Sequence, residues 1–168
     1  RLHSAGYWAC RHIAAILEIF GDAKAIFDAD VSQLIAANVF SKSEISRLSN
    51  KSLAKAEEII EKCKQNGINV IAYLDEQYPY ALRNIPDFPL VLYYKGAFPN
   101  FNNIPSICIV GPRECSQFGI KAAYSLSARL SRGGMIVVSG GAKGVDSAAH
   151  NGALVEEGIT VALLPCGI

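Results

Sequence analysis

The chain has 168 residues, of which 51% are hydrophobic and 18% are charged. This composition excludes a disordered chain and provides enough apolar surface for one ordinary domain, or for one and a half small ones. Lys and Arg together number 16, and Asp and Glu number 15, so the formal net charge is only +1. A globally basic nucleic-acid-binding protein is therefore not indicated, and any anion-binding site must be local.

The cellular compartment can also be inferred from the sequence. No apolar run is long enough to span a membrane, and no signal-peptide pattern opens the chain. The five cysteines are scattered without a CxxC spacing, which argues against a disulfide framework and against a zinc site. We therefore expect a cytoplasmic protein with reduced thiols, no bound metal and no membrane attachment. The chain starts at Arg1 and stops shortly after a strand-like run, so we expect it to be part of a longer protein.

Residues 1–66 have helical periodicity. The first helical pattern ends at Gly21 and consists of seven apolar residues: Tyr7, Trp8, Cys10, Ile13, Ile16, Leu17 and Phe20. Short helices are predicted at 23–29, 32–38 and 43–48, with Ser32 and Ser43 as N-caps, and a longer helix at about 51–65. Several short helices joined by tight turns are typical of a small SAM-like bundle. A helix-hairpin-helix bundle is the alternative, but the corresponding turn, Asn38-Val39-Phe40-Ser41, lacks the glycine that such a hairpin needs to contact phosphate. Packing or protein contact is therefore favoured over DNA contact.

The periodicity changes at Gly67. Residues 68–73 and 90–94 are predicted strands, and the prolines between them argue against a helix there. Farther along, apolar strands at 106–110, 135–139 and 160–164 alternate with helices at 118–132 and 144–157. This alternation predicts an α/β fold with a Rossmann-like, doubly wound parallel sheet that has helices on both faces. The predicted domains are a helical SAM-like domain at 1–66 and the N-terminal part of a Rossmann-like domain at 67–168.

Two glycine-bearing turns follow consecutive predicted strands. They contain six candidate phosphate-binding residues: Gly111 and Arg113 in the first turn, and Ser139, Gly140, Lys143 and Gly144 in the second. Parallel strands place both turns at the carboxyl edge of the sheet, where helix N-termini direct free amides outward. The pattern favours a phosphate-type anion site. The alternative is that the glycines only make tight turns and that the two cations lie in water.

Common nucleotide-binding motifs are absent from these turns. A dinucleotide fingerprint requires G-x-G-x-x-G in the first turn, which here reads Gly111-Pro112-Arg113. A P-loop requires Ser or Thr directly after its lysine, whereas Lys143 is followed by Gly144. No nucleotide cofactor is therefore expected.

Asp146 and His150 are four residues apart at the start of a predicted helix, and thus on one face of it. They could act as an acid/base pair or as metal ligands. The interpretation that we favour is structural, with Asp146 capping or supporting the glycine turn and His150 pairing with Asp146 or packing beneath it. Ser139 lacks the G-x-S-x-G surroundings of a nucleophile. We therefore predict that the protein is not an enzyme.

Three stretches of the chain resemble the DprA/Smf family of bacterial DNA-processing proteins. They are Tyr78-Pro79-x-x-Leu82-Arg83-x-Ile85-Pro86-Asp87-x-Pro89-x-Val91-Leu92-Tyr93-x-Lys95-Gly96, Ile109-Val110-Gly111-Pro112-Arg113, and Val138-Ser139-Gly140-Gly141-Ala142-Lys143-Gly144-Val145-Asp146-x-Ala148-Ala149-His150. The resemblance covers residues 67–168, and the helical N-terminus agrees with the small SAM-like domain of the family. The chain departs from the usual family pattern at Pro112, Gly141 and Lys143.

The resemblance implies single-stranded DNA binding and loading of a RecA-type recombinase in natural transformation, competence and DNA recombination. It implies a homodimer in the full-length protein, no catalysis and no cofactor. It assigns the first pocket turn to Gly111 and Arg113. The second turn is then formed by Ser139, Gly140, Lys143 and Gly144.

An enzyme remains the alternative. The LOG-like nucleoside-monophosphate phosphoribohydrolases also have Rossmann-like sheets, and they resemble this chain at Ser139-Gly140-Gly141. Their second glycine-rich motif, which carries a catalytic Glu, is not visible in this sequence. They also lack a counterpart of the segment that begins at Tyr78-Pro79.

Overall fold

The computed structural model describes residues 13–85 and 88–165. The chain divides into two compact units between Tyr94 and Lys95. The change from helix to strand lies farther upstream, between Gln65 and Asn69, close to Gly67 where the sequence pattern changes. The first unit therefore contains two strands in addition to its helices.

Five helices come first in the described part of the first unit. These are α1 (Ile13–Phe20), α2 (Ala23–Asp28), α3 (Val31–Ala36), α4 (Lys42–Ser49) and α5 (Ala54–Gln65). The apolar faces of α1 to α4 meet in a core that includes Ile16, Ile26, Leu34 and Leu48. The predicted contributions of Tyr7, Trp8 and Cys10 lie outside the described residues.

The predicted N-caps of α3 and α4 were wrong by two residues. Asp30 caps α3 and Ser41 caps α4, instead of Ser32 and Ser43. Each true cap forms a capping box, in which its side chain accepts from the N3 backbone N–H while the N3 Gln or Glu side chain accepts from the cap N–H. The sequence signal for both helices was therefore the Gln or Glu three residues after the cap.

Strands β1 (Asn69–Ala72) and β2 (Val91–Tyr94) pair antiparallel in a separate two-stranded sheet. The prediction that residues 67–168 form one parallel sheet is therefore wrong for this segment. Two antiparallel strands can be joined without a crossover helix, so residues 73–90 return the chain from β1 to β2 on the same side. The buried Tyr78 holds this loop, because its hydroxyl donates to the carbonyl oxygen of Pro89 at 2.6 Å.

A short helix, α6 (Tyr80–Arg83), lies between these two strands. The prolines were expected to exclude a helix there, and this expectation was wrong. Pro79 occupies the N-cap position of α6, where the missing proline N–H costs no helical hydrogen bond.

The second unit has the predicted alternation. Its elements are β3 (Ser106–Cys108), α7 (Gln117–Arg132), β4 (Ile136–Gly140), α8 (Val145–Val155) and β5 (Thr160–Leu163). The three strands form a parallel sheet in the order β3-β4-β5. The α/β fold class with a parallel, Rossmann-like sheet is confirmed.

Helices α7 and α8 pack against each other on one face of this sheet. Buried residues from both helices join Ile109 and Val137 of the sheet in a single core, in which the helix residues are small. The other face carries exposed side chains, including Cys108 and Leu163, the latter 63% exposed. The expectation of helices on both faces is therefore not met within the described residues, because three strands in sequential order put both crossovers on the same side.

Small residues allow α7 and α8 to approach closely. A Cβ placed on Gly152 would lie 2.2 Å from the carbonyl oxygen of Tyr124. The Ser127 hydroxyl donates to the carbonyl oxygen of Ala149 at 2.5 Å. No helix in the described ranges is both long and apolar enough to cross a membrane.

Candidate functional site

The two glycine-bearing turns lie at the carboxyl edge of the parallel sheet. The first turn follows β3, which the backbone bond from Ile109 N–H to the Val138 carbonyl (2.9 Å) extends by one residue. The second turn connects the last residue of β4, Gly140, to the N-cap of α8, Gly144. Because β3 and β4 are parallel, both turns emerge at the same edge.

The structure brings these two turns into direct contact. A Cβ placed on Gly144 would lie 2.5 Å from the carbonyl oxygens of both Pro112 and Arg113. A Cβ placed on Gly111 would lie 2.7 Å from the side chain of Val145. The Val145 N–H also donates to the Pro112 carbonyl at 3.4 Å. Glycine is thus required at 111 and 144 for the backbones to meet.

Free backbone donors are present at this edge. Gly144 provides no side-chain cap for α8, and the N–H groups of Asp146 and Ser147 make no hydrogen bond within the described part of the chain. At the start of α7, Ser116 accepts from the Gly119 N–H at 3.2 Å, which leaves the first amides of that helix open. Free amides at a helix N-terminus favour an anion.

The cations predicted for the site are exposed. Arg113 and Lys143 are both on the surface, and neither forms an ion pair with another described residue. Two acidic residues, Glu114 and Asp146, belong to the same segments, but Asp146 is only 7% exposed. The surface of the two turns therefore presents two cations and one acidic side chain.

Ser139 has a structural contact. Its side chain is 1% exposed, and its hydroxyl donates to the carbonyl oxygen of Ile109 at 2.6 Å. This bond links the end of β4 to the end of β3 directly beneath the turns. The hydroxyl of Ser139 thus holds the two strands together and does not face solvent. Gly140 lies at the sheet edge, and its carbonyl oxygen accepts a hydrogen bond from His150.

Asp146 and His150 do not hydrogen-bond to each other, so the pairing considered from the sequence is not formed. His150 Nε2 donates to the Gly140 carbonyl at 2.8 Å, and its Nδ1 lies 2.7 Å from Thr160 Oγ1. Asp146 is not the cap of α8, and its Oδ1 is buried without a hydrogen-bond partner among the described residues. His150 therefore supports the glycine turn from α8 through its own bond to Gly140, and Asp146 lies against the same glycine, since a Cβ at Gly140 would be 2.5 Å from Asp146 Oδ2.

Two supporting residues were missed in the sequence. Ser147 donates its hydroxyl to the Ala142 carbonyl at 2.7 Å, which closes the second turn onto α8. Thr160 meets His150 and donates to the Val137 carbonyl at 3.0 Å. Ser147 could have been found as a hydroxyl residue in the first turn of a helix. Thr160 carried no local signal, because its partners come from other elements.

The sequence is similar to one family model and to several DNA processing proteins. A family model described as DNA recombination-mediator protein A matches residues 69–168. The DNA processing protein DprA of Streptococcus pneumoniae is 39% identical over 95 residues, covering 56% of this chain and 33% of that protein. A putative DNA processing protein DprA of Mycobacterium tuberculosis is 30% identical over 173 residues, covering 94% of this chain and 42% of that protein.

The fold is similar as well. The X-ray structure of DNA processing protein A from Streptococcus pneumoniae superposes with a TM-score of 0.75 at 26% identity, covering 99% of this chain and 56% of that one. The chain thus spans about a third to somewhat more than half of the length of these relatives. Because the family model matches more than half of the chain and the matching fold extends over nearly all of it, the chain belongs to the DprA/Smf family of DNA-processing proteins.

Proposed function

We propose that the edge formed by the two turns binds backbone phosphates of single-stranded DNA. The observation that carries the proposal is the contact of Gly144 with the backbone of Arg113. This contact places two exposed cations, Arg113 and Lys143, on adjoining turns beside the open amides of α8. Amides and cations together form the donor set that recognises phosphate oxygens.

The donors in this set are of a kind that does not read base sequence. Backbone N–H groups and cations contact phosphates, which are the same in every nucleotide, so binding should be insensitive to sequence. The relatives are named DNA processing proteins, and the matching family model is described as a DNA recombination-mediator protein, which supports DNA as the ligand. Single-stranded rather than duplex DNA is the form implied by the family resemblance.

The wider role that we propose is that of the family. The whole protein would bind single-stranded DNA in the cytoplasm and load a RecA-type recombinase onto it during natural transformation and DNA recombination. It would act as a homodimer and without a nucleotide cofactor. Gly111, Gly140 and Gly144 would hold the two turns close together, because a Cβ at each position would be within 2.7 Å of a neighbouring atom, while Arg113 and Lys143 would supply the charge.

A salt titration tests the phosphate site. The affinity for a single-stranded oligonucleotide should fall with salt, with a slope of about −0.7 per neutralised phosphate. Arg113→Ala and Lys143→Ala should each weaken binding about tenfold or more, for all sequences alike, because a charge-assisted hydrogen bond is worth about 1.5–3 kcal/mol. Each change should also make the salt slope shallower by about 0.7 for each phosphate contact that is lost.

The matched control is Lys64→Ala, since Lys64 is an exposed lysine of α5 without an ion pair among the described residues. It should leave both affinity and slope unchanged. Circular dichroism monitors folding of all variants. If the Arg113 and Lys143 variants are folded and bind as the wild type does, the phosphate site does not lie at these turns.

The second candidate function is hydrolysis of a nucleoside monophosphate. One observation favours it, namely the buried carboxylate of Asp146, whose Oδ1 has no partner among the described residues. An unpartnered carboxylate beside a phosphate site is a candidate for acid/base chemistry. Release of free base from nucleoside monophosphates that is lost in Asp146→Asn would support this activity. Absence of such release favours the DNA-binding function.

A further inference from the structure

Phe118 has an exceptional position on the surface. Its side chain is 81% exposed, more than any other large apolar side chain among the described residues. It is the second residue of α7, five residues after Arg113. Leaving a phenyl ring in water forfeits the favourable free energy of its burial, and a contact with a ligand would recover part of it.

Packing of α7 does not require this ring. The buried residues of the helix are Ala123, Ser127, Ala128 and Ser131, and none of them lies one turn from Phe118. The N-cap bond between Ser116 and the Gly119 N–H fixes the first turn of α7 without the ring. The fold therefore places Phe118 on a capped helix end while leaving its ring exposed.

The position of this ring relative to the turns follows from the topology. Helix α7 begins immediately after the turn that follows β3, so its first residues lie at the same sheet edge as Arg113. Two residues into a helix correspond to an axial advance of only about 3 Å. Phe118 is thus displayed beside the candidate phosphate site rather than at the far end of the helix.

We propose that Phe118 stacks against a nucleobase of the bound single strand. Strands bound without sequence preference are held by a cationic track for the phosphates together with aromatic side chains for the bases, because every base presents a π-face. Arg113 and Lys143 would supply the first component and Phe118 the second. The inference rests on the proposed function, to which it adds a hydrophobic contact that salt does not screen.

The test compares two strands of equal length, oligothymidine and an abasic deoxyribose-phosphate strand. Phe118→Ala and Phe118→Leu should weaken oligothymidine binding about 5- to 150-fold, and they should leave binding of the abasic strand unchanged. Phe118→Tyr should bind both strands as the wild type does, because it retains the aromatic ring. Leucine is the informative control, since it preserves apolar bulk without a π-face.

Fluorescence gives an independent readout. The chain contains a single tryptophan, Trp8, so Phe118→Trp in a Trp8→Phe background places the only indole at the proposed stacking position. Its emission should be quenched by oligothymidine and not by the abasic strand.

The possible failures are distinguishable. Wild-type protein that binds neither strand overturns the phosphate site and the stacking role together. Wild-type protein that binds both strands equally, or Phe118→Leu that binds oligothymidine as the wild type does, overturns the stacking role alone. If Phe118→Ala changes only the oligomeric state in light scattering, Phe118 is a protein contact, together with the exposed Leu126 two turns away, and the proposal is wrong.

Discussion

The α-carbon of Gly144 lies against the carbonyl oxygen of Arg113, so that a Cβ at position 144 would be 2.5 Å from that oxygen. Gly144 also has a φ of 84°, which L side chains rarely adopt. This contact joins the two candidate phosphate turns and aligns the start of α8 with the end of β3. The geometry of the site therefore depends on the absence of a side chain at one position.

We expect Gly144→Ala to disrupt both stability and binding. The strained φ and the backbone clash together should lower the free energy of unfolding by about 3 kcal/mol. Separation of the turns should also weaken binding of single-stranded DNA, and this loss should be seen under conditions in which the variant is still folded. Urea denaturation and fluorescence anisotropy measure the two effects.

The matched control for this variant is Gly134→Ala. Gly134 also has a positive φ, of 82°, but a Cβ there would meet nothing within 4 Å. Its loss of stability should be limited to about 1–2 kcal/mol, the cost of the left-handed conformation. Its DNA affinity should equal that of the wild type, and a comparable loss of binding in both variants would show that contact between the turns is not needed.

A second prediction concerns the interface between α7 and α8. Gly152→Ala should destabilise the second unit by at least about 3 kcal/mol, because the added Cβ would lie 2.2 Å from the Tyr124 carbonyl oxygen and would push the helices apart. Gly119→Ala is the matched helical variant, in which the nearest neighbour would be 3.6 Å away. It should stabilise the protein by about 0.5–1 kcal/mol, as expected for alanine in a helix. Thermal unfolding of the two variants should thus shift in opposite directions, and equal shifts would contradict the close helix contact.

The third prediction concerns two tyrosines of the first unit. The Tyr78 hydroxyl donates to the Pro89 carbonyl, whereas the Tyr73 hydroxyl is buried without a partner among the described residues. Tyr78→Phe should therefore lower the free energy of unfolding by about 1 kcal/mol, and Tyr73→Phe should leave it unchanged or raise it. Urea denaturation at pH 8 measures both changes. A larger loss for Tyr73→Phe than for Tyr78→Phe would contradict the hydrogen-bond assignment.

Tyr78 also makes the free energy of unfolding depend on pH in the alkaline range. Burial raises the pKa of the Tyr78 phenol above its ordinary value of 10.0, although the nearby Arg83 opposes this shift. The unfolded chain therefore loses the proton first, so this stabilisation is complete below about pH 10 and is lost as pH rises through the pKa of the folded state. Burial also raises the pKa of Tyr73 and Tyr93. The fall in unfolding free energy from pH 9 to 11 should thus be smaller, but not abolished, in Tyr78→Phe, and an unchanged fall would contradict this role.

Local patterns in the sequence were sufficient to identify most elements of the second unit. The apolar runs at β3, β4 and β5 and the amphipathic pattern of α7 come within one or two residues of their observed bounds. The meeting of the two glycine turns at one edge was also predictable, because parallel strands place their carboxyl ends together whatever the remainder of the chain does. These features depend on interactions between residues close in sequence, or on a rule of sheet topology.

Contacts between distant residues were decided only by the tertiary structure. The hydroxyl of Ser139 donates to the carbonyl oxygen of Ile109, which lies 30 residues earlier in the chain. His150 bonds to Thr160 on β5, although Asp146 is only four residues away on the same helix as His150. The antiparallel pairing of β1 with β2 likewise depended on how the loop around Tyr78 packs. A hydroxyl or an imidazole can satisfy its hydrogen bonds with many partners, so the sequence determined which groups needed a partner, and the packing of the strands and helices determined which partner each group obtained.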